Sequence, residues 1–294
     1  MRSSRRRFLA FAGAAAASGS SGLVRARAAL SQDGGTPALP ARFRVSCCAY
    51  SLRDLLTAKP PEIDLFGFLD YAAELDLDAV ELTSYYFPAD TDDTYLARLK
   101  RRCHVLGLDI SGGAVGNSFC LPPGPDRTKQ IDTVRLWIRR YERLGAPVMR
   151  VFAGSAPRGH TEDEARGWVA ECAHECLPEA AAAGIILALE NHGGVTARPE
   201  GVLDIIGRVG SEWFGANLDT GNFRSADPYD DMSRVAPHAV NVHGKEREGF
   251  RTDYGRVKAL LSDVAYRGYI SIEYEGTDPP KEGVAAEAKR IREA

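Results

Sequence analysis

Four residues in the second half of the chain have side chains suited to holding a divalent cation. Glu190 closes the apolar run Ile185-Ile186-Leu187-Ala188-Leu189 and is followed by Asn191 and His192. Asp219 closes Ala216-Asn217-Leu218, His243 closes Val240-Asn241-Val242, and Glu273 closes Ile270-Ser271-Ile272. Taken singly, a carboxylate at a strand end caps a helix or makes a surface ion pair, and a single histidine is a hydrogen-bonded structural residue. Together the four carry more weight. Three carboxylates brought to one mouth repel and raise one another's pKa unless a cation neutralises them. Three oxygen donors and one imidazole make a hard site for one divalent metal, with Mn²⁺ favoured and Mg²⁺, Co²⁺ or Zn²⁺ as alternatives. The thiolates that structural zinc sites lean on are missing from these motifs.

The runs that end on these residues read as strands, in which side chains two apart share a face. Asn217 then points with Asp219, Asn241 with His243 and Ser271 with Glu273. Small and polar residues within apolar strands fit a crowded barrel interior whose C-terminal mouth carries the chemistry.

Eight strands are expected: Arg44–Ser51, Ala79–Leu82, Leu108–Gly112, Val148–Phe152, Ile185–Glu190, Gly215–Asp219, Ala239–His243 and Tyr269–Glu273. Amphipathic helical patterns lie between and after them, from Ile63–Leu75 to Glu282–Ala294. Strands recurring every 25 to 40 residues or so, each followed by a helix, imply parallel pairing through crossovers. Eight unbroken units predict an α/β fold, a single-domain (β/α)₈ TIM barrel. A doubly wound open sheet is the competing architecture. The first strand leads into Tyr50-Ser51-Leu52-Arg53 without phosphate-cradling glycines, and no Gly-x-Gly-x-x-Gly or P-loop occurs.

The chain has 294 residues, 44% of them hydrophobic and 26% charged, a soluble globular balance. A net charge of -3 gives no basic footprint for nucleic acid. No apolar run in the body of the chain is long enough to span a membrane. Six cysteines (Cys47, Cys48, Cys103, Cys120, Cys172 and Cys176) are too sparse for a disulfide scaffold and read as core residues. His174 lies between Cys172 and Cys176 in sequence but should point away from their face of the helix.

The N-terminus is distinct. Ser4-Arg5-Arg6-Arg7-Phe8-Leu9, an Ala-rich apolar stretch and the small-residue pattern Ala26-Arg27-Ala28 resemble a twin-arginine export signal. The expected organisation is a signal over residues 1–28, a linker over 29–42 and the catalytic barrel over 43–294, with export to the periplasm or beyond. A protein exported folded takes up its metal before it meets competing ions outside.

The motifs MRVFAG (149–154), LALENHGG (187–194), NLDTGN (217–222), NVHGKE (241–246) and ISIEYEG (270–276) resemble those of the xylose-isomerase-like barrel family. The resemblance implies metal ligands at Glu190, Asp219, His243 and Glu273. It also implies that Glu190 and Glu273 act as the acid/base pair: one removes a proton beside a carbonyl, the other returns a proton from the opposite face, and the ion stabilises the enediolate. Lys245 matches a His-x-Lys-Asp/Glu pattern that contacts substrate oxygens. Arg150 and His192 are candidate pocket residues, with a barrel-core salt bridge and a loop hydrogen bond as their alternatives. Asn222 stands where ketose epimerases carry a histidine. It can hold a hydroxyl but cannot become a cation. The many histidines of the apurinic endonuclease branch are absent, since the chain has six in all.

The leading expectation is therefore a metal-dependent isomerase or epimerase acting on a small carbohydrate. A lyase or dehydratase on keto-sugars or oxidised glycosides uses the same proton removal, and a non-catalytic sugar-binding protein is the third reading. Arg158, Arg224 and Arg247 fall in loops that could meet a phosphate. The outer helices allow a homo-oligomer, with no interface identified.

Overall fold

The computed structural model describes residues 43–294. The expected signal and linker lie outside the described residues. Eight parallel strands close on themselves in chain order. They are β1 (Arg44–Cys48), β2 (Ala79–Thr83), β3 (Asp109–Ala114), β4 (Val148–Val151), β5 (Ile186–Glu190), β6 (Phe214–Asp219), β7 (Ala239–Arg247) and β8 (Tyr269–Glu275). The outer ring is α1 (Leu65–Glu74), α2 (Asp93–Leu106), α3 (Pro125–Leu144), α4 (Glu162–Ala182), α5 (Pro199–Val209), α6 (Pro228–Val235), α7 (Tyr254–Asp263) and α8 (Pro280–Glu293). The fold is a single (β/α)₈ barrel, as the alternation of patterns predicts.

Local chemistry sets the helix ends. Asp64, Asp92 and Asp253 each accept a backbone N–H of the first turn that follows, and Thr161 with Glu164 forms a reciprocal capping box at the start of α4. In α3, Ile131, Val134, Trp137, Ile138, Tyr141 and Leu144 recur at helical spacing and are all buried, so one stripe faces the sheet.

Two environments result. Outward strand residues such as Leu82, Met149, Leu189, Leu218, Val242 and Ile272 join the helices in one continuous apolar core. The inward residues are polar or small: Ser46, Glu81, Ser111, Arg150, Asn217, Asn241 and Ser271 are all buried. They satisfy one another across the barrel, with the Ser46 and Ser111 hydroxyls 2.7 Å apart and Asn241 Nδ2 donating to Asn217 Oδ1 at 2.8 Å. The six cysteines are buried and free, as core residues should be. His174 turns its Nε2 to the Val209 carbonyl at 3.0 Å, away from a thiol pair.

Four strand ends depart from expectation by two residues or more, β3 running on to Ala114. β1 stops at Cys48, because Ala49–Leu52 turns into a 3₁₀ helix in which Ser51 Oγ donates to the Ile272 carbonyl at 2.8 Å. β7 and β8 continue past His243 and Glu273, pairing Lys245 with Glu273 and Arg247 with Glu275. Charged residues there break the apolar pattern but keep the ladder.

Tyr141 locks β2 to β3 from outside. Its hydroxyl donates to the Leu82 carbonyl at 2.7 Å and accepts from the Ala114 N–H at 3.1 Å. This needs Gly113, since a Cβ there would lie 2.2 Å from the Tyr141 ring. Gly113→Ala is therefore expected to lower stability by about 1–3 kcal/mol, the usual cost of overpacking a tight core. Urea unfolding followed by circular dichroism checks this, and an unchanged midpoint would refute the wedge.

Candidate metal centre and active site

The barrel register brings the four strand-end residues to one place. Asp219 is level with His243 on neighbouring strands, and Glu190 and Glu273 flank them from β5 and β8. One ligand atom from each of Glu190, Asp219, His243 and Glu273 lies within 4.8 Å of every other. All four are buried. The site lies at the C-terminal mouth of the barrel, where the sequence places it.

His243 is aimed by a residue on the far side. Its Nε2 lies 3.0 Å from Glu81 Oε1, and its Nδ1 lies 3.6 Å from Glu273 Oε2. Glu81 sits mid-strand on β2, fully buried, and also accepts from Asn241 Nδ2 at 3.0 Å. Burial alone would raise the Glu81 carboxyl, but the charge and hydrogen bond of His243, with the Asn241 amide, hold it below the ordinary range. A carboxylate on one ring nitrogen fixes which nitrogen is left for a metal.

The remaining charges are compensated in kind. Lys245, buried on the inward face two residues beyond His243, places its Nζ 2.9 Å from Glu273 and 3.2 Å from Asp219. Burial opposes its charge, yet Asp219 and Glu273 outweigh that and raise its pKa. Burial also pushes Asp219 well up, against the pull of Lys245 and reinforced by Glu273 and Glu190. Glu273 goes the other way: burial would raise it, but Lys245 and His243 hold it well below the carboxylate range. Burial disfavours a charged His243, while neighbouring Cys48 and Glu81 raise it well above an ordinary histidine.

Three further residues shape the cluster. Asn222 Nδ2 donates to Glu190 Oε1 at 3.0 Å and Asp219 Oδ2 at 2.8 Å. Asn191 exchanges hydrogen bonds with the backbone N–H and carbonyl of Asp219, which ties the end of β5 to that of β6. Gly221 leaves room for Lys245, since a Cβ at 221 would come within 2.9 Å of that side chain.

The donor set fits a hard divalent ion. Arg150 Nε and Glu190 Oε2 are 3.2 Å apart but misaligned, so both are buried without a hydrogen-bond partner. An orphaned carboxylate oxygen within a cluster of oxygen and imidazole donors is what a cation would satisfy. A second grouping, Cys48, Glu81 and His243, also has its ligand atoms close together. There Glu81 is already engaged by His243 and Asn241, and burial pushes the Cys48 thiol well up.

Of the residues read from sequence, Arg150, Glu190, Asp219, Asn222, His243, Lys245 and Glu273 come together. His192 does not join them: it is exposed at the rim, its ring 4.4 Å from that of Phe152, and its backbone N–H donates to Thr196. Sequence reasoning missed Glu81 and Asn191. The lone acid in the apolar run Ala79-Val80-Glu81-Leu82 was the available signal for the first.

A family description, xylose isomerase-like TIM barrel, matches residues 69–294. The chain belongs to that family. No curated protein matches it. Among solved structures it resembles 3-keto-D-glucoside 4-epimerase of E. coli (13% identity, 86% of this chain and 100% of that one, TM-score 0.71). It also resembles D-psicose 3-epimerase of Clostridium cellulolyticum (15%, 85% and 99%, 0.70). A third is a probable 3-DHS dehydratase of Bacillus anthracis (19%, 85% and 99%, 0.64). Identities this low speak for the shared barrel alone. Among the described residues, no helix is long and apolar enough to cross a membrane.

Two outcomes are expected. Glu81→Gln should weaken Mn²⁺ binding about 10- to 100-fold with the fold intact, as loss of a ligand's carboxylate partner does elsewhere. Isothermal titration with circular dichroism reads both, and unchanged affinity would show that the carboxylate does not aim the ring. Burial and the neighbouring carboxylates push the Asp219 carboxyl up, and Glu81 raises His243 against its burial, so filling the site with a metal should draw protons off these groups. Mn²⁺ affinity should therefore rise with pH, and titrations in buffers of different ionisation enthalpy should show proton release.

Proposed function

We propose that this chain is a divalent-metal-dependent isomerase or epimerase of sugars, acting by proton transfer beside a carbonyl. The observation that carries this reading is the convergence of Glu190 and Glu273, from opposite flanks of one buried cluster, with Asp219 and His243 between them. Glu190, Asp219, His243 and Glu273 would hold the ion, most simply Mn²⁺. When bound, it would polarise the substrate carbonyl and favour enolisation.

The chain's own residues supply the rest. Glu273, ionised beside Lys245 and His243, would accept the proton from carbon. Glu190, across the cluster, would return one at the other face. Lys245 Nζ, 2.9 Å from Glu273, can donate to the oxygen that gains charge as the proton leaves. Asn222 holds Glu190 and Asp219 in place from the β6 loop and offers an amide to a substrate hydroxyl. The buried floor of the site excludes bulk water and so strengthens each of these interactions.

Removal of the same proton also permits loss of a hydroxyl or glycosyl group, and one of the structural neighbours bears the name of a dehydratase. Product mass separates the two. The Mn²⁺-loaded protein, incubated in D₂O with ketoses, aldoses and 3-keto-glycosides, is expected to place deuterium on carbon without changing the skeleton. Glu273→Gln should slow this by about 10²- to 10⁴-fold. Loss of water or an aglycone would move the assignment to a lyase. Saturable sugar binding with no exchange would leave only a binding protein.

A further inference from the structure

The ammonium of Lys245 meets three carboxylates, Glu273 at 2.9 Å, Asp219 at 3.2 Å and Glu275 at 3.5 Å. Lysine is a flexible four-carbon stem, so keeping its tip among them needs a fixed backbone beneath it. One edge of Lys245 is fixed by β8, through its pairing with Glu273. The other edge faces β6, which ends at Asp219, level with His243. The last backbone rung on that side runs from the Thr220 N–H to the His243 carbonyl at 3.0 Å. Backbone groups two residues apart on a strand face the same neighbour, so the Lys245 N–H and carbonyl turn to this side as well, past the end of β6. Lys245 is 2% exposed, and both groups must be paired some other way.

Two buried hydroxyls pair them. The Lys245 N–H donates to Thr220 Oγ1 at 2.9 Å, and Thr252 Oγ1 donates to the Lys245 carbonyl at 2.7 Å. The two hydroxyl oxygens lie 2.9 Å apart. A carbonyl only accepts, so the Thr252 proton is committed to Lys245 and the Thr220 hydroxyl is the donor between the two. These groups form a closed ring in which every proton is assigned. Both threonines are fully buried, and valine has nearly their shape, so packing alone does not call for hydroxyls here. The ring is anchored at both ends. Thr220 lies between Asp219 and Gly221, where a Cβ would come within 2.9 Å of the Lys245 stem. Thr252 is held by Arg290 of α8, which donates to its carbonyl and pairs with Glu246 at 2.7 Å.

We infer that Thr220 and Thr252 are positioning residues: their hydroxyl ring takes over the rungs that β6 no longer supplies and holds the Lys245 ammonium against Asp219 and Glu273. Opening the ring leaves a buried carbonyl without a donor, a cost that falls on the conformation of Lys245 itself. That Lys245 serves proton transfer rests on the proposed function; the ring does not.

The test is competitive acetylation of the lysines of the full Mn²⁺-loaded chain with acetic anhydride, read by peptide mass spectrometry against exposed Lys129. Thr252→Val should raise the rate at Lys245 about tenfold or more, the change in local opening expected when a buried hydrogen bond is lost. Thr252→Ser keeps the hydroxyl and should stay within about threefold of the unsubstituted chain. Lys258, on α7 and bonded to the Ile291 carbonyl, reports general loosening beside α8 and should not change. Thr220→Val opens the ring at its other bond and should act in the same direction. If neither valine variant folds, amide hydrogen exchange in the unsubstituted chain decides, since the Lys245 amide should be as protected as those of the β8 ladder. In the deuterium assay, Thr252→Val should lower kcat about tenfold with KM little changed, the pattern of an interaction strengthened in the transition state. The inference falls if the valine variants label Lys245 no faster, if serine does not restore what valine loses, or if Lys258 rises in step with Lys245. It falls too if the Lys245 amide exchanges as fast as the exposed loop after it, or if the unsubstituted chain exchanges sugar hydrogens and Thr252→Val matches its kcat. Faster labelling of Lys245 in valine variants of a chain that performs no exchange would keep the ring and discard the proposed reaction. Exchange with unaltered labelling would do the reverse.

Discussion

Everything at the mouth of this barrel follows from placing three carboxylates in one dry spot. Anions that close, removed from water, are strongly unfavourable unless each is answered by a positive or hydrogen-bonding group. The chain answers them one at a time. Lys245 lies against Asp219 and Glu273, Arg150 approaches Glu190, and the Asn222 amide bridges Glu190 and Asp219. The answer to Glu190 is incomplete, because one of its oxygens finds no hydrogen bond. A divalent ion would complete the set, since one ligand atom from each of the four residues lies within 4.8 Å of every other.

The polar floor of the barrel serves the same end. A barrel interior filled with branched aliphatics would pack well but could not orient an imidazole. Here Glu81, Asn217 and Asn241 form a hydrogen-bonded layer beneath His243, with Asn217 Nδ2 3.2 Å from His243 Nδ1 and Glu81 at the other ring nitrogen. Each group is satisfied by the next, which is the condition under which buried polarity rigidifies a site. The apolar core between strands and helices carries stability, and the barrel interior carries specificity.

The alternation of apolar strands with amphipathic helices made the barrel legible, and strand-end Glu190, Asp219, His243 and Glu273 marked its mouth. These are local signals. Glu81 was hidden because its partner is 162 residues away and the two meet only when the sheet closes. The extensions of β7 and β8 were hidden because Lys245, Glu246 and Arg247 read as a polar loop, although ladder pairing with Glu273 to Glu275 keeps them in the sheet. The early end of β1 was missed because Ala49-Tyr50-Ser51 is as apolar as a strand. The hydrogen bond from Ser51 to β8 turns it aside. His192, expected in the pocket, is exposed with its ring against that of Phe152.

The bond between Glu81 and His243 also bears on how such a site can be inherited. All four candidate ligands come from the second half of the barrel, so a gene fragment encoding β5 to β8 would transmit the whole ligand set. It would not transmit the group that chooses between the nitrogens of the histidine, which belongs to β2. Duplicating or exchanging that half would copy the ligands without their alignment. The candidate ligands and the residue that aligns the histidine come together only in the complete closed barrel.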